Sequence, residues 1–450
     1  MRGTASSVKP CVAANALRYY ALCHEQENIA VYLLARKQRV LGPIGVLLGA
    51  LAALGTTSAA ELPPLVLAAR QLVGADQGVY VEAVDGSVLV AQAAATPVHP
   101  ASVSKVPTTL ALLHKFGCDY RFTTTFAANG PTVNGTLKGD LIVDSEGDPF
   151  FVDENALLVA ERLREMGIVR VAGTVRAHDL IFDWDHDDGA RLRQTLEGIA
   201  PAAAWEAVRT LEVRQPVGAE LPMPVLRFGG AATAAAVNGA LPNRVLLRHR
   251  SQPLLSMAKA LNDYSNNIFK PFADAAGGAA SVQSLAQTLL PAEMRTEITL
   301  GDGAGTDPSN RLSPRAAVKL LRALEAELAS AGHSLVDVLP VAGVDAGTLQ
   351  KRIDGAGEVG HVVGKTGTFG DYGASALVGA LSTTDYGTVY FAILNHGVPV
   401  SEARRRQDSF VRVLLATLTT QPWIYAPDPR PAVARATVEV VSDPESGRTE

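Results

Sequence analysis

Pro100-Ala101-Ser102-Val103-Ser104-Lys105 leads into an apolar run and reads as the start of a helix over 102–114. On a helix, positions i and i+3 share one face, with Cβ atoms about 5–6 Å apart. Lys105 is therefore within reach of the Ser102 hydroxyl. A serine alcohol is a poor nucleophile until a base takes its proton. A lysine can do so once burial or a second cation lowers its pKa. The spacing alone decides little, because Ser-x-x-Lys also stands at 6–9 and 256–259. Two further motifs, each present once, give it context: Ser265-Asn266-Asn267 and Lys365-Thr366-Gly367. Ser6 precedes an export-like segment, and Ser256 lies only nine residues before Ser265. Ser102 alone leaves room for a folded unit between the motifs.

Each motif suits one part of an acyl transfer. Ser102 attacks, Lys105 is its base, and Lys365 is the cation that depresses the base. Ser265 relays the proton toward the leaving amine, and Asn267 orients Lys105 and the substrate amide. Lys365 and Thr366, at the start of a strand, suit a terminal carboxylate. Gly367 lets backbone approach the substrate, and the Thr368 N–H pairs with that of Ser102 as an oxyanion hole. Taken singly, each motif has a plainer reading as a helix-surface pair, a polar turn or a strand-initiating turn. Their ordered occurrence overrides it.

With their surroundings, these motifs resemble the class C low-molecular-weight penicillin-binding proteins, the D-alanyl-D-alanine carboxypeptidase/endopeptidases. The resemblance covers roughly 78–185 and 245–420. It includes Tyr120-Arg121-Phe122-Thr123, Gly139-Asp140-Leu141, Gly147-Asp148-Pro149 and Pro253-Leu254-Leu255. It also includes Asp302-Gly303-Ala304-Gly305, Asn310-Arg311-Leu312-Ser313-Pro314, Leu339-Pro340-Val341-Ala342-Gly343 and Gly347-Thr348-Leu349. From Ser102 to Ser265 is 163 residues, and from Ser265 to Lys365 is 100. Class A β-lactamases have a far shorter first interval, which class C proteins fill with an inserted domain. Ala304 and Thr306 replace an expected serine and leucine. Pro107 stands five residues into the Ser102 helix, where it removes a hydrogen bond.

The resemblance implies an α/β fold, a serine β-lactamase/DD-peptidase-like catalytic domain with an antiparallel sheet flanked by helices and an inserted, mostly β domain. The division expected is 61–123 and 246–425 for the catalytic domain, 124–245 for the insertion and 426–450 for a mobile tail. The hairpin 78–91, turning at Asp85-Gly86, is expected to join the strands 373–381 and 388–394 in one sheet. Residues 186–244 have weak periodicity and no assignment. The implied activity is that of a serine-type D-Ala-D-Ala carboxypeptidase/endopeptidase, penicillin-sensitive, acting on peptidoglycan stem peptides without a cofactor. The alternatives are a β-lactamase or esterase on the same fold, or a non-catalytic wall-binding protein.

The N-terminus points to export. Arg36, Lys37 and Arg39 precede the apolar run 40–54, which ends in Thr57-Ser58-Ala59-Ala60, the pattern of a secretory signal. Fifteen residues fall short of the ~20 that a spanning helix needs; a short anchor is the alternative, and peripheral membrane association stays open. Residues 1–35 are longer than a signal n-region requires, so translation is expected to begin near Val31 or Leu33. Six of the 40 basic and two of the 45 acidic residues lie in 1–60, so the remainder carries −9 against −5 for the whole chain. With no basic stripe, that balance argues against a nucleic-acid partner. After the signal only Cys118 remains, which excludes an internal disulfide. The cluster Asp183-Trp184-Asp185-His186-Asp187-Asp188 reads as a solvated loop rather than a metal site. With no Gly-x-Ser-x-Gly elbow and no His-Glu-x-x-His, His99, His361 and His396 read as structural.

Overall fold

Asp85-Gly86 turns the chain between Gly78–Ala83 and Val88–Gln92 as its chemistry requires. Gly86 takes φ 91°, and the Asp85 carboxylate accepts the Ser87 N–H at 2.8 Å. The computed structural model describes residues 62–211, 222–230, 244–264, 269–370, 373–430 and 432–441. The hairpin is one end of an antiparallel sheet with strands in the order Val362–Phe369, Ala374–Thr383, Gly387–Asn395, Gly78–Ala83 and Val88–Gln92. Gly78–Ala83 pairs residue by residue with Gly387–Asn395, so the two hairpins complete one sheet as expected.

Strand alternation gives this sheet two buried faces. Val79, Val81, Leu377, Phe391 and Ile393 join Leu65, Phe410 and Leu414 in one core; the last two come from the helix Val400–Thr417. Tyr80, Val363, Ala376, Val378 and Ala392 point the other way, into a larger core with helices Lys105–Phe116, Leu254–Asp263 and Pro314–Ser330. The last helix starts as its sequence demands. The Ser313 hydroxyl accepts the Ala316 N–H, and Pro314 fills the first helical position. Burying both faces fixes the edge strand Val362–Phe369 against the layer that carries Ser102.

A second sheet has its own core. Its order is Thr437–Val440, Arg244–Arg250, Thr123–Ala128, Leu141–Ser145 and Val175–His178, packed with helix Asp153–Glu165 around Phe126, Val143, Phe151 and Leu163. Two findings depart from the sequence reading. Part of the expected mobile tail 426–450 is structured: residues 437–440 pair with Arg244–Arg250, and the Arg435 carbonyl accepts from Arg121 Nη1 at 2.6 Å. The exposed edge of Arg244–Arg250 offers unpaired backbone groups, which this strand satisfies. Within 186–244, which periodicity left unassigned, helices occupy Ala190–Leu196 and Ala202–Leu211, and Arg227–Phe228 pairs with Arg170–Val171. The export segment and residues 1–35 lie outside the described residues. Among the described residues no helix is long and apolar enough to cross a membrane.

Candidate active site

Ser102 sits on a single 3-10 turn, Ala101–Ser104, that runs directly into the α-helix Lys105–Phe116. The turn explains one feature of the sequence. It brings i and i+3 onto one edge, so the Lys105 Nζ donates to Ser102 Oγ at 2.8 Å. Pro107 is the third residue of that α-helix, inside its first turn.

Lys105 is wholly buried, and its second acceptor is the Ala304 carbonyl, also at 2.8 Å. The Phe269 ring centroid lies 5.4 Å from its Nζ. None of these neighbours neutralises an ammonium. Burial, reinforced by the positive charge of Lys365 and opposed by Asp302, holds Lys105 well below the ordinary lysine range. Lys365 is equally buried and is brought down to about 7 by desolvation, with Asp263 opposing the shift. Its Nζ donates to the Tyr264 carbonyl at 3.4 Å.

The strand Val362–Phe369 lies against the Ser102 turn at very short range. A Cβ added at Gly367 would stand 2.5 Å from the Pro100 carbonyl and 3.1 Å from the Ser102 nitrogen, so only glycine fits. This contact places Lys365, Thr366, Gly367 and Thr368 beside Ser102 and Lys105. The Thr366 hydroxyl donates to Thr348 at 2.8 Å, and Thr368 Oγ1 accepts from Arg404 at 3.0 Å. Ser265 and Asn267 lie outside the described residues, which bracket them with Tyr264 and Phe269.

The loop 301–310 closes the third side. Asp302 accepts from the Gly305 and Thr306 N–H groups and the Asn310 side chain, fixing the turn that presents the Ala304 carbonyl to Lys105. This accounts for the two departures from the expected family pattern. Ala304 contributes only backbone, and the Thr306 hydroxyl bonds Asp302 within the loop.

Sequence reading missed the Ala304 carbonyl, Phe269 and His99. A backbone acceptor leaves no residue-type signal. His99 has one, standing three residues before Ser102, but its partners lie far away in sequence. Its Nε2 meets the Asp307 carbonyl at 3.0 Å, and its ring stacks on Phe369 with centroids 4.5 Å apart. His361 bonds Thr420, outside this cluster. In the acidic cluster, Asp187 accepts the Arg191 and Leu192 N–H groups at the start of the helix Ala190–Leu196.

Comparisons with known proteins bear on the family and the fold. A family model described as D-Ala-D-Ala carboxypeptidase 3 (S13) matches residues 61–205 and 206–417. Among solved structures, the chain is similar to the predatory endopeptidase Bd3459 of Bdellovibrio bacteriovorus, acylated by penicillin G and bound to immunity protein Bd3460. That match has 22% identity and a TM-score of 0.67, over 81% of this chain and 99% of that one. It is also similar to penicillin binding protein 4 of Haemophilus influenzae, at 18% identity and a TM-score of 0.56, over 78% of this chain and 99% of the other. At these identities the structures establish the fold, and the family match spans nearly all of the chain beyond residue 60. The chain belongs to the D-Ala-D-Ala carboxypeptidase 3 (S13) family and is a serine peptidase acting on peptidoglycan.

Proposed function

We propose that this chain hydrolyses the D-alanyl-D-alanine end of peptidoglycan stem peptides through an acyl-enzyme on Ser102. One observation carries the reading: a buried amine with a strongly depressed pKa stands 2.8 Å from a serine oxygen, with no carboxylate among its hydrogen-bond partners in the described residues. Neutral Lys105 takes the Ser102 proton as Oγ bonds to the penultimate carbonyl carbon. The N–H groups of Ser102 and Thr368 receive the developing oxyanion. The proton returns through Ser265 to the departing amine as the C–N bond breaks, and Asn267 holds Lys105 and the substrate amide in register. Water then attacks the ester, and Ser102 recovers its proton. Lys365 and Thr366 receive the terminal carboxylate, a pairing favoured because the anion restores charge to a buried amine.

Residues 124–245 form an inserted unit in this reading; it shapes access and leaves the chemistry to 61–123 and 246–425. This reading includes a location outside the cytoplasm, supported by action on peptidoglycan and by the signal pattern at 36–60. The deciding experiment incubates the purified protein with a stem pentapeptide and, separately, with a cross-linked dimer. Released D-alanine from the pentapeptide supports carboxypeptidase action, and resolution of the dimer supports endopeptidase action. Failure of both, with intact protein, overturns the proposal.

A further inference from the structure

We infer that His99 is a positioning residue for the nucleophile: its unprotonated Nδ1 accepts the Ala101 N–H and holds Ala101 in the left-handed turn that aims Ser102 at Lys105. The inference rests on the reading of Ser102 as nucleophile. Ala101 has φ 48°, a region that residues with a Cβ avoid, and it immediately precedes Ser102. Something must hold it there. Its N–H donates to His99 Nδ1 at 3.1 Å. On its other side, a Cβ at Gly305 would stand 2.1 Å from the Ala101 carbonyl, so the loop 301–310 presses directly on the turn.

Donor and acceptor chemistry fixes the tautomer. A backbone N–H can only donate, so Nδ1 has no proton; the Asp307 carbonyl can only accept, so Nε2 carries one. The ring is thus neutral and committed at both nitrogens. Burial disfavours its charged form, Arg311 acts in the same sense, and Asp302 and Asp307 oppose; burial prevails. The ring also lies nearly parallel to Phe369, at 11°, and Phe369 ends the strand that carries Lys365. One side chain therefore ties together the Ser102 turn, the loop that supplies the Ala304 carbonyl to Lys105, and the strand bearing Lys365.

Two substitutions separate positioning from packing. His99→Asn keeps an acceptor near Nδ1 and loses the contact to Asp307. His99→Gln reaches toward Asp307 and leaves the Ala101 N–H without its partner. Both lose the stack on Phe369. The readout is the second-order rate of covalent labelling by a fluorescent penicillin, normalised to folded protein. His99→Gln should label roughly 10- to 100-fold more slowly than His99→Asn, the scale of an ångström-level misplacement. Ala101→Gly supplies a residue that adopts φ 48° unaided, so the loss caused by His99→Gln should shrink in that background.

Equal rates for the Asn and Gln variants, a slower Asn variant, or an undiminished Gln defect in the Ala101→Gly background would each overturn the inference. Absence of labelling in the wild type would instead overturn the assignment of Ser102 on which it rests.

Discussion

Gly367→Ala tests whether contact between the Lys365 strand and the Ser102 turn sets the reactive geometry. The added methyl would stand 2.5 Å from the Pro100 carbonyl, where ordinary contact begins at 3.4 Å. Strand or turn must yield by roughly 0.9 Å, and the turn is already constrained by the left-handed Ala101. Overpacking of this kind costs about 1–3 kcal/mol of stability. Displacement on that scale between Ser102 and the strand should slow acylation about 100-fold. Stopped-flow acylation by a chromogenic cephalosporin, beside a thermal melt, separates the two effects. Gly370→Ala is the control, since a Cβ there meets no atom of the described residues within 4 Å, and it should leave both unchanged. A folded Gly367→Ala enzyme that acylates at the wild-type rate would refute the idea that this contact aligns the site.

Four further outcomes follow from the same geometry. Lys105→Arg should abolish measurable acylation, because a guanidinium stays protonated and cannot serve as base; near-normal acylation of this variant would rule Lys105 out. Lys365 is held at about 7 when the site is empty, so it loses positive charge as pH rises through that value. KM for carboxylate-bearing substrates should therefore climb above about pH 7 while neutral esters change little, and parallel profiles would contradict the carboxylate role. Because the folded pKa of Lys365 lies below its unfolded value, the unfolded chain binds more protons between about 7 and 10.4, and stability rises with pH across that window. Lys365→Met should accordingly raise the melting temperature at pH 7, by a margin that shrinks toward pH 10. Truncation after residue 430 removes the strand Thr437–Val440 and should destabilise the protein by about 1–3 kcal/mol; an unchanged melt would mean the edge strand contributes nothing.

What the sequence disclosed was mostly what is local. The Asp85-Gly86 hairpin and the alternation in 374–395 needed only neighbouring residues, and both pair as read. The Ser102–Lys105 contact was likewise legible, because three residues of helical turn bring the two side chains together. Contacts across long separations were not. The His99–Asp307 bond spans 208 residues, and nothing at either end announces the other. The Ala304 carbonyl is invisible in residue type, so replacement of an expected serine looked like a departure although the backbone does the bonding. Thr437-Val438-Glu439-Val440 is a short alternating run after a proline-rich segment, and its partner lies near residue 250. Ser265-Asn266-Asn267 was read from sequence and falls outside the described residues.

The central claim is that Ser102 carries the acyl group, and peptide mapping of the penicillin adduct tests it most directly. Wild-type protein incubated with benzylpenicillin should gain one penicilloyl mass, located by tandem mass spectrometry on the peptide containing Ser102. Ser102→Ala should melt like the wild type and gain none. An adduct on Ser256 or Ser265, or an adduct persisting in Ser102→Ala, would contradict the assignment.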